Sequence, residues 1–123
     1  MSGNQLGKRL KAAPAKTRPT QRDLGWAAGF YEGEGSAIFV ARSHRVAINQ
    51  VEREPLERIL SLFGGHIFAV PAHRRSKPSW RWYACGARAR GILLTLYPML
   101  SAKRQSQIRK VIAAGEVRTQ RWS

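Results

Sequence analysis

Residues 25–35 read GWAAGFYEGEG, and this stretch constrains the fold more than any other. It belongs to a helix. Thr20 and Asp23 stand three residues apart as a capping signature, with Thr20 as N-cap, and the helical pattern runs from about 21 to 33 before stopping in Gly33 and Gly35. Glycine inside a helix costs about 1 kcal/mol relative to alanine, yet Gly25 and Gly29 both fall in the interior. With Ala28 and Glu32 they follow an i, i+3, i+4, i+7 pattern, a face with almost no side chain ahead of the acid. Such a face lets two backbones approach closely, within the chain's own core or against a second copy. Trp26, Phe30 and Tyr31 supply the apolar contacts of the same helix.

The acids of this stretch are equally out of place. The chain carries 22 Lys+Arg against 7 Asp+Glu, a net charge of +15. Two of those acids, Glu32 and Glu34, sit at a helix C-terminus, where the partial negative charge of the helix disfavours them by roughly 0.3–1 kcal/mol each. One explanation is pairing with neighbouring Lys or Arg. The other is a divalent-metal site: Mg²⁺ takes hard oxygen ligands, often only one or two carboxylates, and completes its shell with water and phosphate oxygens.

The excess of positive charge implies a polyanionic partner, nucleic acid first and a membrane surface second. No stretch approaches the length of an apolar span, and no helix pairs a lysine face with a clean apolar one. A single cysteine, Cys85, allows no internal disulfide and points to a reducing, intracellular compartment such as the cytoplasm, nucleoid or an organelle. The basic N-terminus lacks an apolar h-region, so it does not read as a secretory signal. A length of 123 residues with 43% hydrophobic residues suits one domain with one core.

The organisation follows from periodicity. Residues 1–19 are polar, basic and broken by Pro14 and Pro19, and read as a flexible arm. Residues 36–42 and 45–51 read as a hairpin turning at Ser43-His44. Pro55 opens a helix carrying Leu56, Ile59, Leu60 and Phe63, which Gly64-Gly65 ends. A second hairpin pairs HIFAVP with SWRWYACG across the basic loop AHRRSKP. A helix spans 87–97, Pro98 interrupts it, and a basic helix covers about 100–114, leaving 115–123 as an unassigned tail. One domain, 20–114, is expected: α+β, with an antiparallel sheet and helices on one face. Trp80 and Trp82 are placed under the helices, which aims Arg81 at the free face.

Three segments, in order, resemble one family. AAGFYEGEG (27–35) resembles the signature helix of the LAGLIDADG homing endonucleases; INQVEREPLERILSLFGGHI (48–67) resembles their second strand, next helix and glycine stop; WRWYACGARARGILLTLYPMLSAKRQSQI (80–108) resembles their fourth strand, third helix and Pro-x-Leu-x-x-Lys segment. The resemblance covers about residues 20 to 112. It implies an αββαββα unit whose saddle-shaped sheet sits on duplex DNA, with two signature helices packed at the centre. It also implies Mg²⁺- or Mn²⁺-dependent double-strand cleavage leaving 3′ overhangs, in the service of intron or intein mobility. One motif per chain implies a homodimer on a long pseudo-palindromic site. By position, Glu34 matches the metal-binding acid, Gln50 a polar residue that orders water near the metals, and Lys103 a basic residue near the active site. Glu32 matches the first acid of the motif, which supports rather than ligates, and Gly25, Ala28, Gly29 and Glu32 form the expected dimer face. Ala27 stands where the motif has leucine, and both acids are Glu rather than Asp.

Base readout is expected from Arg42, Arg45, Asn49, Arg74, Arg75, Lys77 and Arg81, with Arg104, Arg109, Lys110 and the arm on phosphates. The histidines His44, His66 and His73 lack zinc-ligand spacing and read as DNA-facing or surface residues. Two other readings stand beside the endonuclease: the same fold as a non-cleaving DNA- or RNA-binding protein such as an intron maturase, and, on charge alone, a small ribosomal or RNA-coating protein.

Overall fold

The computed structural model describes residues 11–122, with side chains through Glu116. The arm residues 1–10 therefore lie outside the described residues. Helix α1 (Gln21–Glu34) is followed by strands β1 (Gly35–Val40) and β2 (Ser43–Gln50), helix α2 (Glu54–Phe63), strands β3 (His66–Val70) and β4 (Ser79–Cys85), and helix α3 (Gly86–Leu96). A 3₁₀ turn at Tyr97–Met99 leads into α4 (Ala102–Trp122). The strands form one antiparallel sheet in the order β1-β2-β4-β3.

Local chemistry explains where α1 begins and ends. Thr20 Oγ accepts from the Asp23 N–H at 3.1 Å while the Thr20 N–H donates to the Asp23 carboxylate at 2.9 Å, a complete capping box. Its inward side is Leu24, Ala27, Ala28 and Tyr31, with Ala27, Ala28 and Tyr31 at most 3% exposed. The sheet face beneath the helices carries Val46, Ile48, Trp82 and Ala84, all buried, because strand residues alternate and these positions share a register. Trp82 donates its indole N–H to the Gly64 carbonyl at 2.9 Å, which ties the end of α2 into this core.

Several boundaries differ from the sequence expectation, each for a local reason. The first hairpin turns at Ala41-Arg42, both in the left-handed region (φ 52° and 64°), so a two-residue turn forms without glycine two residues earlier than Ser43-His44. Residues 11–19 are not a free arm. Ala13 pairs with Gly65 through two backbone hydrogen bonds of 2.8 and 2.9 Å, and Lys16 donates to Ser61 at 2.8 Å. Gly64 and Gly65 hold φ of +72° and +113°; the bare Cα of Gly64 gives that segment room to approach, and the bare Cα of Gly65 fits against the Tyr83 carbonyl and the Trp82 ring. The tail is helical: α4 runs on through Trp122 rather than stopping near 114.

Candidate DNA-binding face and metal-binding acid

Glu34 is the last residue of α1, and the next residue opens β1. Gly35 is needed there, because a side chain at that position would run into the Tyr31 ring, on which the backbone lies. The buried Tyr31 hydroxyl has no hydrogen-bond partner among the described residues, and burial raises its pKa. The two acids of the stretch have different surroundings. The Glu32 carboxylate accepts from the Ser101 N–H and from the Ser101 hydroxyl, both at 2.7 Å. Ser101 Oγ in turn accepts from the Arg104 N–H at 3.3 Å at the start of α4. Glu32 thus takes the place of a capping-box acid for α4 across 69 residues of sequence. These Ser101 hydrogen bonds, then Arg104 and Lys103 nearby, hold its carboxyl below its ordinary pKa. The Glu34 carboxylate is exposed and enters no hydrogen bond or ion pair among the described residues.

Arg104 binds this corner together. Its Nε donates to the Glu32 carbonyl at 3.0 Å and its Nη1 to the Gly35 carbonyl at 2.9 Å, while its guanidinium lies 5.5 Å from the Tyr31 ring centroid. The last turn of α1 has no basic residue of its own, so Arg104 supplies the positive charge its carbonyls favour. Expected on phosphates, Arg104 is instead a structural clamp with only 19% of its side chain exposed. Lys103, its neighbour in the first turn of α4, is exposed. Gly35 pairs with Ile48, so Gln50, two residues further along β2 and opposite Trp80, stands at the same end of the sheet as Glu34. Glu34, Gln50 and Lys103 therefore share one end of the molecule.

The expected thin face of α1 is altered. Ala28 turns inward to the core, because it falls on the same side as Ala27 and Tyr31, and the Glu32 carboxylate is engaged by Ser101 of its own chain. The exposed strip is Gly25, Gly29 and Gly33, and a Cβ built at any of them would meet nothing within 4 Å. Trp26 and Phe30, stacked at 5.4 Å, flank it.

Among the described residues nothing covers the sheet face away from the helices. The register puts Arg45, Ala47 and Asn49 of β2 and Arg81, Tyr83 and Cys85 of β4 on it, between Ser36, Ile38 and Val40 of β1 and His66, Phe68 and Val70 of β3. Arg45, Asn49, Phe68, Val70, Arg81 and Tyr83 line a shallow depression of about 450 Å³. Arg42 lies in the first hairpin turn, and Arg74, Arg75 and Lys77 in the exposed 71–78 loop at the far end of the second hairpin. Of the aromatics on this face, Tyr83 and Phe68 are not among the expected base readers: Tyr83 is stacked on His66 at 4.7 Å, meets the edge of Phe68 at 5.7 Å and lies under Arg45 at 5.9 Å. Strand alternation outward from Arg81 is the signal that could have found Tyr83. His44 departs from the surface reading. It lies on the helix side against Phe39, its buried Nε2 has no hydrogen-bond partner among the described residues, and desolvation, then Arg90, lowers its pKa.

No family model matches this chain, and no curated protein sequence matches it. Solved structures do. A crystal structure of the homing endonuclease I-CvuI in complex with the I-CreI target C1221, in the presence of magnesium and with the DNA not cleaved, matches at TM-score 0.57 and 19% identity, covering 78% of this chain and 67% of that one. I-CvuI in complex with its own target, Sro1.3, in the presence of calcium, matches at TM-score 0.54 and 21% identity with the same coverage. The fold is that of a homing endonuclease. The likeness at this identity lies in the α+β architecture: the open four-stranded antiparallel sheet and the helices that cover one side of it. Both structures are DNA complexes crystallised with a divalent cation. Among the described residues no helix is long and apolar enough to cross a membrane.

Proposed function

We propose that this chain is a site-specific, divalent-metal-dependent DNA endonuclease of the LAGLIDADG type. It acts as a homodimer on a long pseudo-palindromic site and leaves 3′ overhangs. The observation that carries the reading is the uncovered, arginine-bearing sheet face ending at Glu34, in a fold shared with a homing endonuclease.

A net charge of +15 raises the local concentration of duplex, and strands with Arg and Asn on one face can reach base edges in the major groove. The strip of Gly25, Gly29 and Gly33 costs helix stability, about 1 kcal/mol per interior glycine, which close packing against a second copy of α1 offsets. That contact would bring two Glu34 carboxylates to the dimer axis, one per subunit, over the two strands of the duplex.

The residues fit a hard divalent ion and not a protein-caged one. Among the described residues no group of three or more His, Cys, Asp or Glu gathers, so a zinc-type cage is not built within one chain. An exposed carboxylate that the fold does not use is what Mg²⁺ or Mn²⁺ takes when phosphate and water complete the shell. Glu34 would hold the ion. When bound, the ion would neutralise phosphate charge and lower the pKa of a water. Lys103 contributes a cation near the same corner, to stabilise charge on the phosphate in the transition state. Gln50 offers an amide to orient water. Arg104 and Glu32 hold the end of α1 in place and take no part in the chemistry.

Selection of bound duplexes from random DNA, followed by incubation with Mg²⁺, tests this reading. The selected site is expected to be cut by the wild type and left intact, yet bound, by Glu34→Gln. Tight sequence-specific binding with no cleavage by the wild type would instead establish the non-cleaving binder of the same fold.

A further inference from the structure

The two hairpins present the same outward pattern, and the register makes it visible. In the first, Ile38 stands opposite Arg45 and Val40 opposite Ser43. In the second, Phe68 stands opposite Arg81 and Val70 opposite Ser79. Each hairpin thus sets an apolar edge strand beside an arginine on an inner strand. The β2–β4 register relates the two by a local dyad at the Ala47↔Tyr83 pair: Arg45 pairs with Cys85 on one side, and Arg81 pairs with Asn49 on the other.

The apolar side chains face solvent. Ile38 is 48% exposed, Phe68 45% and Val40 44%, on edge strands where exposed apolar residues invite association. Core packing does not account for them, because they lie on the uncovered side of the sheet. Cross-strand neighbours are about 5 Å apart, so each apolar group and its arginine can address adjacent base pairs. The chemistry of the major groove supplies both partners. Arginine donates in bidentate fashion to guanine O6 and N7, and the thymine 5-methyl is the apolar group that an apolar side chain contacts.

We propose that the two hairpins are matched reading modules, each pairing an arginine for guanine with an apolar side chain for an adjacent thymine methyl. Arg45 with Ile38 forms one, and Arg81 with Phe68 the other. Arg45 and the residue facing Arg81 are four positions apart on β2, about 13 Å at strand rise, or roughly four base pairs along the groove. The local dyad makes the two modules read in opposite directions. Each half-site therefore contains a short guanine-and-thymine element and its inverted copy, roughly four base pairs apart. This specificity rests on the reading of the sheet face as the DNA-binding surface.

The test uses DNA selected by the wild-type chain, with single thymines replaced by deoxyuridine, which removes only the 5-methyl. Loss of one buried methyl corresponds to about fourfold weaker binding. That loss is expected at one thymine per module, and the Phe68→Ser and Ile38→Ser variants are each expected to become indifferent to deoxyuridine at their own thymine only. Both positions are exposed, and an unchanged denaturation midpoint will show that the variants fold. Sequence-specific binding indifferent to deoxyuridine at every position, or selected half-sites without paired guanines, overturns the modules while leaving the DNA-binding reading standing. Absence of any sequence preference overturns both the modules and the site-specific function proposed above.

Discussion

Arg104→Met separates two accounts of one arginine. In a chain of net charge +15 the default role of such a residue is to touch phosphate. The structure instead has it donating to two carbonyls at the α1–β1 junction, Glu32 O at 3.0 Å and Gly35 O at 2.9 Å. Hydrogen bonds to a charged group are worth about 1.5–3 kcal/mol each, and water can reach this partly exposed corner to replace some of that. Methionine keeps the apolar stem over Tyr31. The expected loss is therefore about 2–3 kcal/mol, below the full value of two charged hydrogen bonds. Urea denaturation at constant m measures it. The companion measurement is the salt dependence of DNA binding. If Arg104 neutralised a phosphate, its removal would lower the slope of log K against log salt by about one, whereas removal of a clamp leaves the slope unchanged. Arg104→Lys should recover only part of the stability, because an ammonium cannot reproduce the guanidinium fork. A variant of wild-type stability with a reduced salt slope would refute the clamp.

Other outcomes follow from the same geometry. Gly65→Ala places a Cβ 2.6 Å from the Tyr83 carbonyl oxygen and 2.9 Å from Trp82 Nε1, at a φ of +113°, and is expected to lower stability by about 2–4 kcal/mol on denaturant titration. Trp82→Phe leaves the Gly64 carbonyl without its donor and a gap where the indole was, an expected loss of at least about 1–3 kcal/mol by the same titration. Folding lowers the pKa of Glu32, chiefly through the Ser101 hydrogen bonds, so its contribution is fully present above the ordinary value of 4.5 and is lost as pH falls through the folded value. Urea midpoints recorded across this acid range should show the wild type losing its advantage over Glu32→Gln as pH drops; a constant advantage would contradict the assignment.

Much of the architecture is legible in the sequence because local signals agree with one another. Thr20 and Asp23 announce a cap that the structure completes, and Pro55 with Gly64-Gly65 bounds α2. Placing Trp80 and Trp82 beneath the helices orients the sheet, and with it Arg45, Asn49 and Arg81. What stays hidden depends on contacts between distant residues. The resemblance already assigns Glu34 to the metal and Glu32 to support, but the Glu32–Ser101 cap that gives this support its physical form spans 69 positions and leaves no local trace. Ala28 reads as part of the exposed face because small residues suit both tight cores and helix pairs, and only the packing of Tyr31 beside it decides between them. The docking of Ala13 on Gly65 depends on a positive-φ glycine pair that sequence reads merely as a helix stop. The Ala41-Arg42 turn escapes a sequence reading because neither residue ordinarily favours the left-handed region.

The central claim is that each subunit contributes one Glu34 to one strand of the duplex. Mixed dimers test it most directly. Wild-type chain is combined with a tagged Glu34→Gln chain, the mixed dimer is isolated on the selected duplex, and both strands are mapped after addition of Mg²⁺. The account predicts that the wild-type homodimer breaks both strands, leaving 3′ overhangs about the dyad, and that the mixed dimer only nicks one. Unimpaired double-strand cleavage by the mixed dimer, or by Glu34→Gln alone, would contradict it.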